Sequence, residues 1–390
     1  MDFQLSEDQQ AIRQAVHELA QEMIKPRAAA ADRSGEFPWE SVRLLAEQGY
    51  LGMNLPTEYG GAGLDYVSYA IALEELARAD ATTAVILDVQ NSLHAECILK
   101  NGNEAQRQRF LPPLCRGEVL GAYCLTEPQA GSDAANLLTV ARRVAGGYEL
   151  TGRKVFVTNG SVAHRYVVDA VTDKDQGKKG LSAFVVDKDM PGVSFGPLLD
   201  KLGIRASATC DVVLDQVMVS EDRRLGAEGD GYKIALRTLQ GGRVGIAAQA
   251  VGILQGAIDT ATAYALSRQQ FGQLIGEYEA IQWMLADMET EVEAARLLTY
   301  RAAWLHGTDQ RAPAAISMAK LFASEAAMRG TVKGVQILGG YGFTSEYPAE
   351  RMMRDAKITE IYEGTSEVQR MLIARHVLDL HAQQAAPLLV

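Results

Sequence analysis

YELTGRKVFV, residues 148–157, decides how this chain is read. Its Tyr, Leu, Val and Phe side chains suit a pleated, half-buried surface, and Gly146-Gly147 just before it has hairpin-turn composition. Four neighbouring runs share its character: GAYCL (121–125), TVARRV (139–144), RYVVDAV (165–171) and LSAFVVD (181–187). Each is rich in Val, Tyr or Phe and broken by Gly or Asp, so each reads as a strand. Strand and helix patterns do not alternate through this region, which argues against a parallel, doubly wound sheet. The expectation is a compact antiparallel β unit, barrel-like or a sandwich, over residues 121–225.

On either side the pattern is helical. Leu5 to about Ala28 carries Ile12, Val16, Leu19 and Ile24 at helical spacing, with Pro26 marking an end or a bend. Pro56 to Gly61 is a turn-rich loop. Helices follow over Asp65–Ala79 and Thr82–Lys100, and a shorter one from Glu104 is expected to stop before Pro112-Pro113. After GAEGDGY (226–232) a long helix spans Gly231–Ser267, with small faces at Ala247, Ala248, Ala250, Gly252 and Gly256. Glu279 to about Leu305 places Met288, Val292 and Ala295 on one stripe, and Pro313 suits the first turn of a helix to about Leu338. The fold class is therefore α+β and multidomain. It has an N-terminal helical domain (1–120), a central β domain (121–225) and a C-terminal four-helix bundle (226–390).

The chain has 390 residues, 47% hydrophobic and 22% charged, with a net charge of -11. The acidic balance and the lack of a basic run argue against nucleic acid as a partner. Cys97, Cys115, Cys124 and Cys210 are widely spaced and form no CxxC pair, so they read as reduced thiols. The histidines form no HExxH and no ligand cluster, so no metal is expected. MDFQLSEDQQ at the start is acidic and amphipathic, unlike a signal peptide, and no apolar run approaches the roughly 20 residues a membrane helix needs. A cytoplasmic location is the expectation.

RDAKITEIYEGTSEVQR (354–370) carries the candidate chemistry. Glu363 precedes Gly364, which accepts turns that other residues resist. Ser366 with Gln369 three residues on reads as a capping box opening a helix through 367–380. Glu363 thus lies in a tight connection before a helix start. That suits a positioned base, and equally a solvated loop glutamate.

YCLTEPQAGSD (123–133), KVFVTNG (154–160), RQQFG (268–272), QILGGYGF (336–343) and RDAKITEIYEGTSEVQR, in this order, resemble the acyl-CoA dehydrogenase family. The resemblance spans essentially the whole chain, and is nearest to the short-chain or butyryl-CoA type through GGRVGIAAQAVG (241–252) and IYEGT. It implies α,β-dehydrogenation of an acyl-CoA, with Glu363 taking the α-proton and FAD the β-hydride. Some relatives carry the base on the long helix, directly before an arginine; here that position is Gly242. The backbone N–H of Glu363 and a flavin ribityl hydroxyl are implied as donors to the thioester carbonyl, and burial beside apolar substrate would raise the Glu363 pKa toward operating pH.

The same resemblance implies FAD contacts from Tyr123, Leu125, Thr126, Ser132, Phe156, Val157 and Thr158. Arg268, Phe271, Gln336, Gly339 and Gly340 would serve the FAD of a neighbouring subunit, and Thr365 and Glu367 would meet FAD at the last helix. Ser132, Gln240, Arg243, Gly364 and Arg375 are implied for the CoA thioester. An electron-transferring flavoprotein is the implied partner, and a homo-oligomer, a dimer of dimers, the implied assembly. The bland alternatives stay open: Phe156 as ordinary core, Thr126 and Thr158 as strand-end turns, Gly339-Gly340 as a helix C-cap.

Three positions depart from the family pattern. Gln129 and Gln240 stand where Gly and Asp are usual, and Glu279 where Gln is common. Asp88, His94 and Glu96 make the helix expected to line the acyl pocket more polar than expected. An oxidase or a carrier-protein-linked dehydrogenase on the same fold, and a non-catalytic binding protein, are the competing readings.

Overall fold

The computed structural model describes residues 4–308, 310 and 312–384; Met1 and residues 385–390, the ends of the expected first and last domains, lie outside the described residues. The helices are α1 (Glu7–Leu19), α2 (Lys25–Ser34), α3 (Trp39–Glu47), α4 (Tyr66–Ala79), α5 (Ala81–Asp88), α6 (Glu96–Asn101) and α7 (Glu104–Cys115), then α8 (Gly231–Ala265), α9 (Glu279–Gly307), α10 (Pro313–Leu338), α11 (Ala349–Thr359) and α12 (Ser366–Gln384). Between α7 and α8 lie β1 (Gly121–Cys124), β2 (Val140–Val144), β3 (Gly147–Val157), β4 (Arg165–Val171), β5 (Leu181–Asp187), β6 (Val193–Phe195), β7 (Cys210–Ser220) and β8 (Arg224–Leu225). A small hairpin, β9 (Gln269–Gln270) and β10 (Gln273–Leu274), joins α8 to α9. The fold is thus helical, β, helical in chain order.

By packing, the described chain divides into two units. One comprises Gln21–Asp65 and Thr82–Gly242; the other gathers the segment ending at Ala20, Tyr66–Ala81 and everything from Arg243 onward. In the first, the sheet runs β6-β7-β3-β2-β4-β5-β8, with β1 on β4. Most pairs are antiparallel as the sequence suggested, but β1 pairs β4 in parallel, Gly121 opposite Arg165, and β2 touches β4 in parallel at Val140 and Val171. Alternation along each strand turns Tyr148, Leu150, Tyr166, Val168, Phe184 and Val212 into one core. In the second, α9 and α10 form an antiparallel pair around Met288, Val292, Ala295, Ala319, Ala323 and Ala327, all fully buried.

Several boundaries differ from expectation. The helix begun at Glu104 does not stop before Pro112 but runs through both prolines to Cys115. Their fixed φ fits a final helical turn, and the two missing N–H groups forfeit bonds only to the carbonyls of Gln108 and Arg109, which are exposed. The break expected near Pro26 falls just before it, where a π turn over Ala20–Ile24 separates α1 from α2, and Pro26 sits in the first turn of α2. A second π turn, Val89–Ala95, follows α5. α11 was not anticipated, although Ala349, Met352, Met353 and Ala356 fall at helical spacing; its buried positions also include Arg351, Asp355 and Thr359.

α8 is long and apolar enough to cross a membrane by length and composition, yet 83% of its most apolar window is buried in the fold. Gly252 allows the close approach: a Cβ there would stand 2.1 Å from the Glu74 carbonyl oxygen of α4 and 2.8 Å from Ala77 Cβ. Gly252→Ala should therefore destabilise the protein by about 1–3 kcal/mol through overpacking, read as a lower thermal midpoint with the secondary structure intact.

Candidate active site

Glu363 sits in the connection between α11 and α12. Its φ is +53°, and that of Gly364 is +100°. The left-handed region is natural for Gly364 and uncommon for a residue with a Cβ, so the surrounding structure must hold Glu363 there. A Cβ on Gly364 would also stand 2.6 Å from Gln369 Nε2.

Side chains from three helices hold the turn. Arg243 Nε of α8 donates to the Glu363 carbonyl at 3.1 Å. Lys320 Nζ of α10 and Gln369 Nε2 of α12 both donate to the Gly364 carbonyl at 2.8 Å. The Ser366 N–H closes the loop onto the Glu360 carbonyl at 2.9 Å. The Tyr362 hydroxyl donates to Gln249 Oε1, and Gln249 Nε2 donates to the Ala81 carbonyl at 2.7 Å. Lys320, Gln249 and Gln369 are fully buried and Arg243 nearly so.

The expected capping box does not form. Thr365, one residue earlier than Ser366, accepts the Val368 N–H on its hydroxyl at 3.3 Å, and Gln369 spends its amide on Gly364. The positive φ values of Glu363 and Gly364 turn the chain so that Thr365 meets the first helical turn.

Both cations act on the Glu363 carboxylate. Burial pulls Lys320 down to about 8, while Glu363 draws it up and Arg243 pushes it further down. Burial likewise lowers Arg243, with Glu363 opposing. Desolvation makes these charges costly, and the carboxylate is their shared counter-charge.

In the β unit, the segment after β1 is braced from below. Glu127 and Lys154 form an ion pair at 2.8 Å with side chains 2% and 0% exposed. Lys154 Nζ also donates to the Leu125 carbonyl at 3.1 Å, and the Val155 N–H to the Thr126 carbonyl at 2.9 Å. Glu127 accepts the N–H groups of Leu138 at 2.6 Å and Thr139 at 3.0 Å. Burial works against the Glu127 carboxylate, but Lys154 and these donors win and hold its pKa down to about 2. Gln129 has a local use: its amide donates to Glu127 at 2.9 Å and to the Asn136 carbonyl at 3.1 Å.

Between Lys154 and Val157 the β3–β7 register slips, and Phe156 takes φ +57°. The bulge throws its ring out of the sheet to 68% exposure, so Phe156 is not ordinary core. Tyr123, Leu125, Thr126 and Thr158 are partly exposed and Val157 is buried, all on the braced segments; Ser132 lies exposed in the loop beyond.

In the other unit, Arg268, Gln336, Gly339 and Gly340 are exposed, and Phe271 is 95% exposed at the tip of the β9–β10 hairpin. Open space surrounds Gly339 and Gly340, where a Cβ would meet nothing within 4 Å. Thr365 is partly exposed and Glu367 exposed at the start of α12.

The structure therefore brings Glu363, Gly364, Thr365 and Arg243 together. Arg375 lies exposed further along α12, and Gln240 is half-buried, its amide reaching the Leu236 carbonyl one turn back at 3.4 Å. Sequence reasoning missed Lys320, Gln249 and the Glu127–Lys154 brace.

Taken separately, each unit offers groups that suit part of a flavin. In the first, an outward aromatic ring on a braced bulge suits a flat ring system; in the second, the open Gly339-Gly340 turn, with exposed Arg268 over the ring of Tyr341, suits a phosphate-bearing tail.

With this geometry in place, the chain belongs to the acyl-CoA dehydrogenase family. Residues 6–118 match its N-terminal domain, 122–217 its middle domain and 229–378 its C-terminal domain. It is 48% identical over 374 residues to the short-chain specific acyl-CoA dehydrogenase of Clostridium acetobutylicum, covering 96% of this chain and 99% of that one. It superposes on butyryl-CoA dehydrogenase from Megasphaera elsdenii with a TM-score of 0.95 and 43% identity, over 97% of this chain and all of that one. A chain in the structure described as the electron transferring flavoprotein of Acidaminococcus fermentans gives a TM-score of 0.96 and 46% identity over 97% of this chain and all of that one.

Proposed function

We propose that this protein dehydrogenates a short-chain acyl-CoA thioester to the trans-2-enoyl-CoA and hands the electrons to an electron-transferring flavoprotein. The observation that carries the reading is Glu363, fixed in an uncommon backbone conformation by Arg243, Lys320 and Gln369. In this reading the α C–H bond breaks, its proton passes to a Glu363 carboxylate oxygen, and the freed pair forms the double bond as hydride leaves the β-carbon. FAD, when bound, supplies the acceptor for that hydride. The Glu363 N–H donates to the thioester carbonyl, where charge develops. Ser132, Arg243, Gly364 and Arg375 bind the CoA thioester, with Gln240 nearby. Tyr123, Leu125, Thr126, Ser132, Phe156, Val157, Thr158, Thr365 and Glu367 hold FAD.

The substrate and partner rest on the short-chain and butyryl-CoA relatives and on the likeness to a chain in the structure of the electron transferring flavoprotein of Acidaminococcus fermentans. The three domains divide at 1–120, 121–225 and 226–390 in this reading, in keeping with the family matches. A homo-oligomer, a dimer of dimers, belongs to the same proposal: Phe271 at 95%, Phe343 at 83% and Trp283 at 64% exposure are large apolar rings that a second subunit would cover, with Arg268, Gln336, Gly339 and Gly340 reaching its FAD. Four buried, unpaired thiols support a cytoplasmic location.

Anaerobic titration with acyl-CoAs from butyryl upward tests the substrate. Flavin absorbance should bleach most completely with a four-carbon chain and weaken as the chain lengthens. A flavin that stays oxidised with every simple acyl-CoA would remove the short-chain reading.

A further inference from the structure

The Gly364 carbonyl receives two donors, and one of them, Gln369, is neutral. A second neutral donor would satisfy the oxygen as well. Instead the fold brings the Lys320 ammonium to it at 2.8 Å from a fully buried position on α10. A buried cation is a costly way to hold a carbonyl unless its charge has a use.

We propose that Lys320 is a positioning residue for the base: it anchors the peptide after Gly364 and, through its charge, keeps Glu363 ionised between turnovers. The inference rests on the reading of Glu363 as the base. The charged groups facing Lys320 are Arg243 from α8, Glu363 from the turn, Glu360 at the end of α11 and Glu367 in the first turn of α12. Glu360 pairs with Lys357 and Glu367 is exposed, and of the three carboxylates Glu363 acts most strongly on Lys320.

The consequence is a change in charge balance during turnover. With Glu363 anionic, Arg243 and Lys320 share one counter-charge. Once Glu363 has taken the substrate proton, the two cations face each other without it. Protonated Glu363 is then disfavoured, and its proton is driven off before the next cycle. Lys320 and Arg243 together favour the ionised carboxylate.

The test uses the purified holoenzyme with Lys320→Gln, Lys320→Met and Lys320→Arg, and kcat/KM with butyryl-CoA from pH 5 to 9. Without the Lys320 charge, the acid limb should move to higher pH by at least about half a unit in the Gln and Met variants. It should stay in place in the Arg variant. A role confined to holding the carbonyl would lower the rate and leave the limb unmoved, which would overturn the proposal.

Thermal stability gives a second readout for variants too slow to profile. The folded Lys320 releases its proton near pH 8, below its unfolded value, so the unfolded chain binds more protons above pH 8. Stability of the unaltered protein should therefore rise relative to Lys320→Met as pH climbs from about 8 to about 10.5. Glu363→Gln should move that window to lower pH, because the carboxylate that draws the Lys320 pKa up is gone; a window unmoved by Glu363→Gln would also overturn the proposal. Failure of the underlying reading looks different: Glu363→Gln would still turn over.

Discussion

Glu363→Gln slows the bleaching of the flavin by a short-chain acyl-CoA by roughly 10²- to 10⁴-fold, the range of a positioned general base, while the protein keeps its fold and its yellow colour. The fold should survive, at a lower thermal midpoint because Arg243 and Lys320 lose their shared counter-charge, since the turn itself is held through backbone carbonyls. Arg243 donates to the Glu363 carbonyl and Lys320 to that of Gly364, and neither bond needs the carboxylate. The amide has nearly the same shape but cannot accept the α-proton. Rapid-mixing absorbance under anaerobic conditions measures the effect directly. Binding of the enoyl product should change far less than the rate, because the lost interaction belongs to proton transfer. A rate within about tenfold of the unaltered enzyme would assign the base elsewhere.

The site was legible in part, and the division follows from physics. Glu363 could be read from sequence because a glutamate beside a glycine at a helix start announces a turn with a directed side chain. That Glu363 itself, and not Gly364 alone, takes a positive φ could not be read, since two of the side chains that hold the turn, Arg243 and Lys320, lie more than forty residues away in sequence. Lys320 in MAKLF and Lys154 in GRKVF look like ordinary surface lysines. Their burial shows only once each orphaned carbonyl and carboxylate is given its donor. The order of helical and β blocks was plain because residues 121–187 are dense in β-branched and aromatic side chains. The parallel pairing of β1 with β4 was hidden, because periodicity reports which face a residue takes and not which strand lies beside it. The π turns at Ala20–Ile24 and Val89–Ala95 escaped for a similar reason: one extra residue per turn barely disturbs an apolar pattern.

Lys154→Met has the largest expected effect on stability, about 3–5 kcal/mol at neutral pH. It leaves the Glu127 carboxylate buried and stripped of its counter-charge, with the Leu138 and Thr139 N–H groups and the Gln129 amide as its remaining donors among the described residues. It also frees the Leu125 carbonyl, so of the three ties described between the segment carrying Thr126 and β3 only the Val155 to Thr126 bond is kept. FAD should accordingly dissociate more readily from the variant, measured as free flavin passing an ultrafiltration membrane.

The pH dependence separates this mechanism from simple loss of packing. In the unaltered protein Glu127 titrates near 2 when folded and near about 4.3 when unfolded. Between those values the unfolded chain binds more protons, so the pair's stabilisation is fully present above about pH 4.3 and is lost as pH falls toward 2. In Lys154→Met burial acts unopposed by the ammonium, the Glu127 pKa rises, and protonation relieves the variant. The stability gap between the two proteins should therefore narrow as pH falls from 7 to 4, and Glu127→Gln added to Lys154→Met should recover part of the loss at pH 7. A gap that stays constant with pH, with no recovery in the double variant, would mean that the Lys154 side chain acts through its packing and not through its charge.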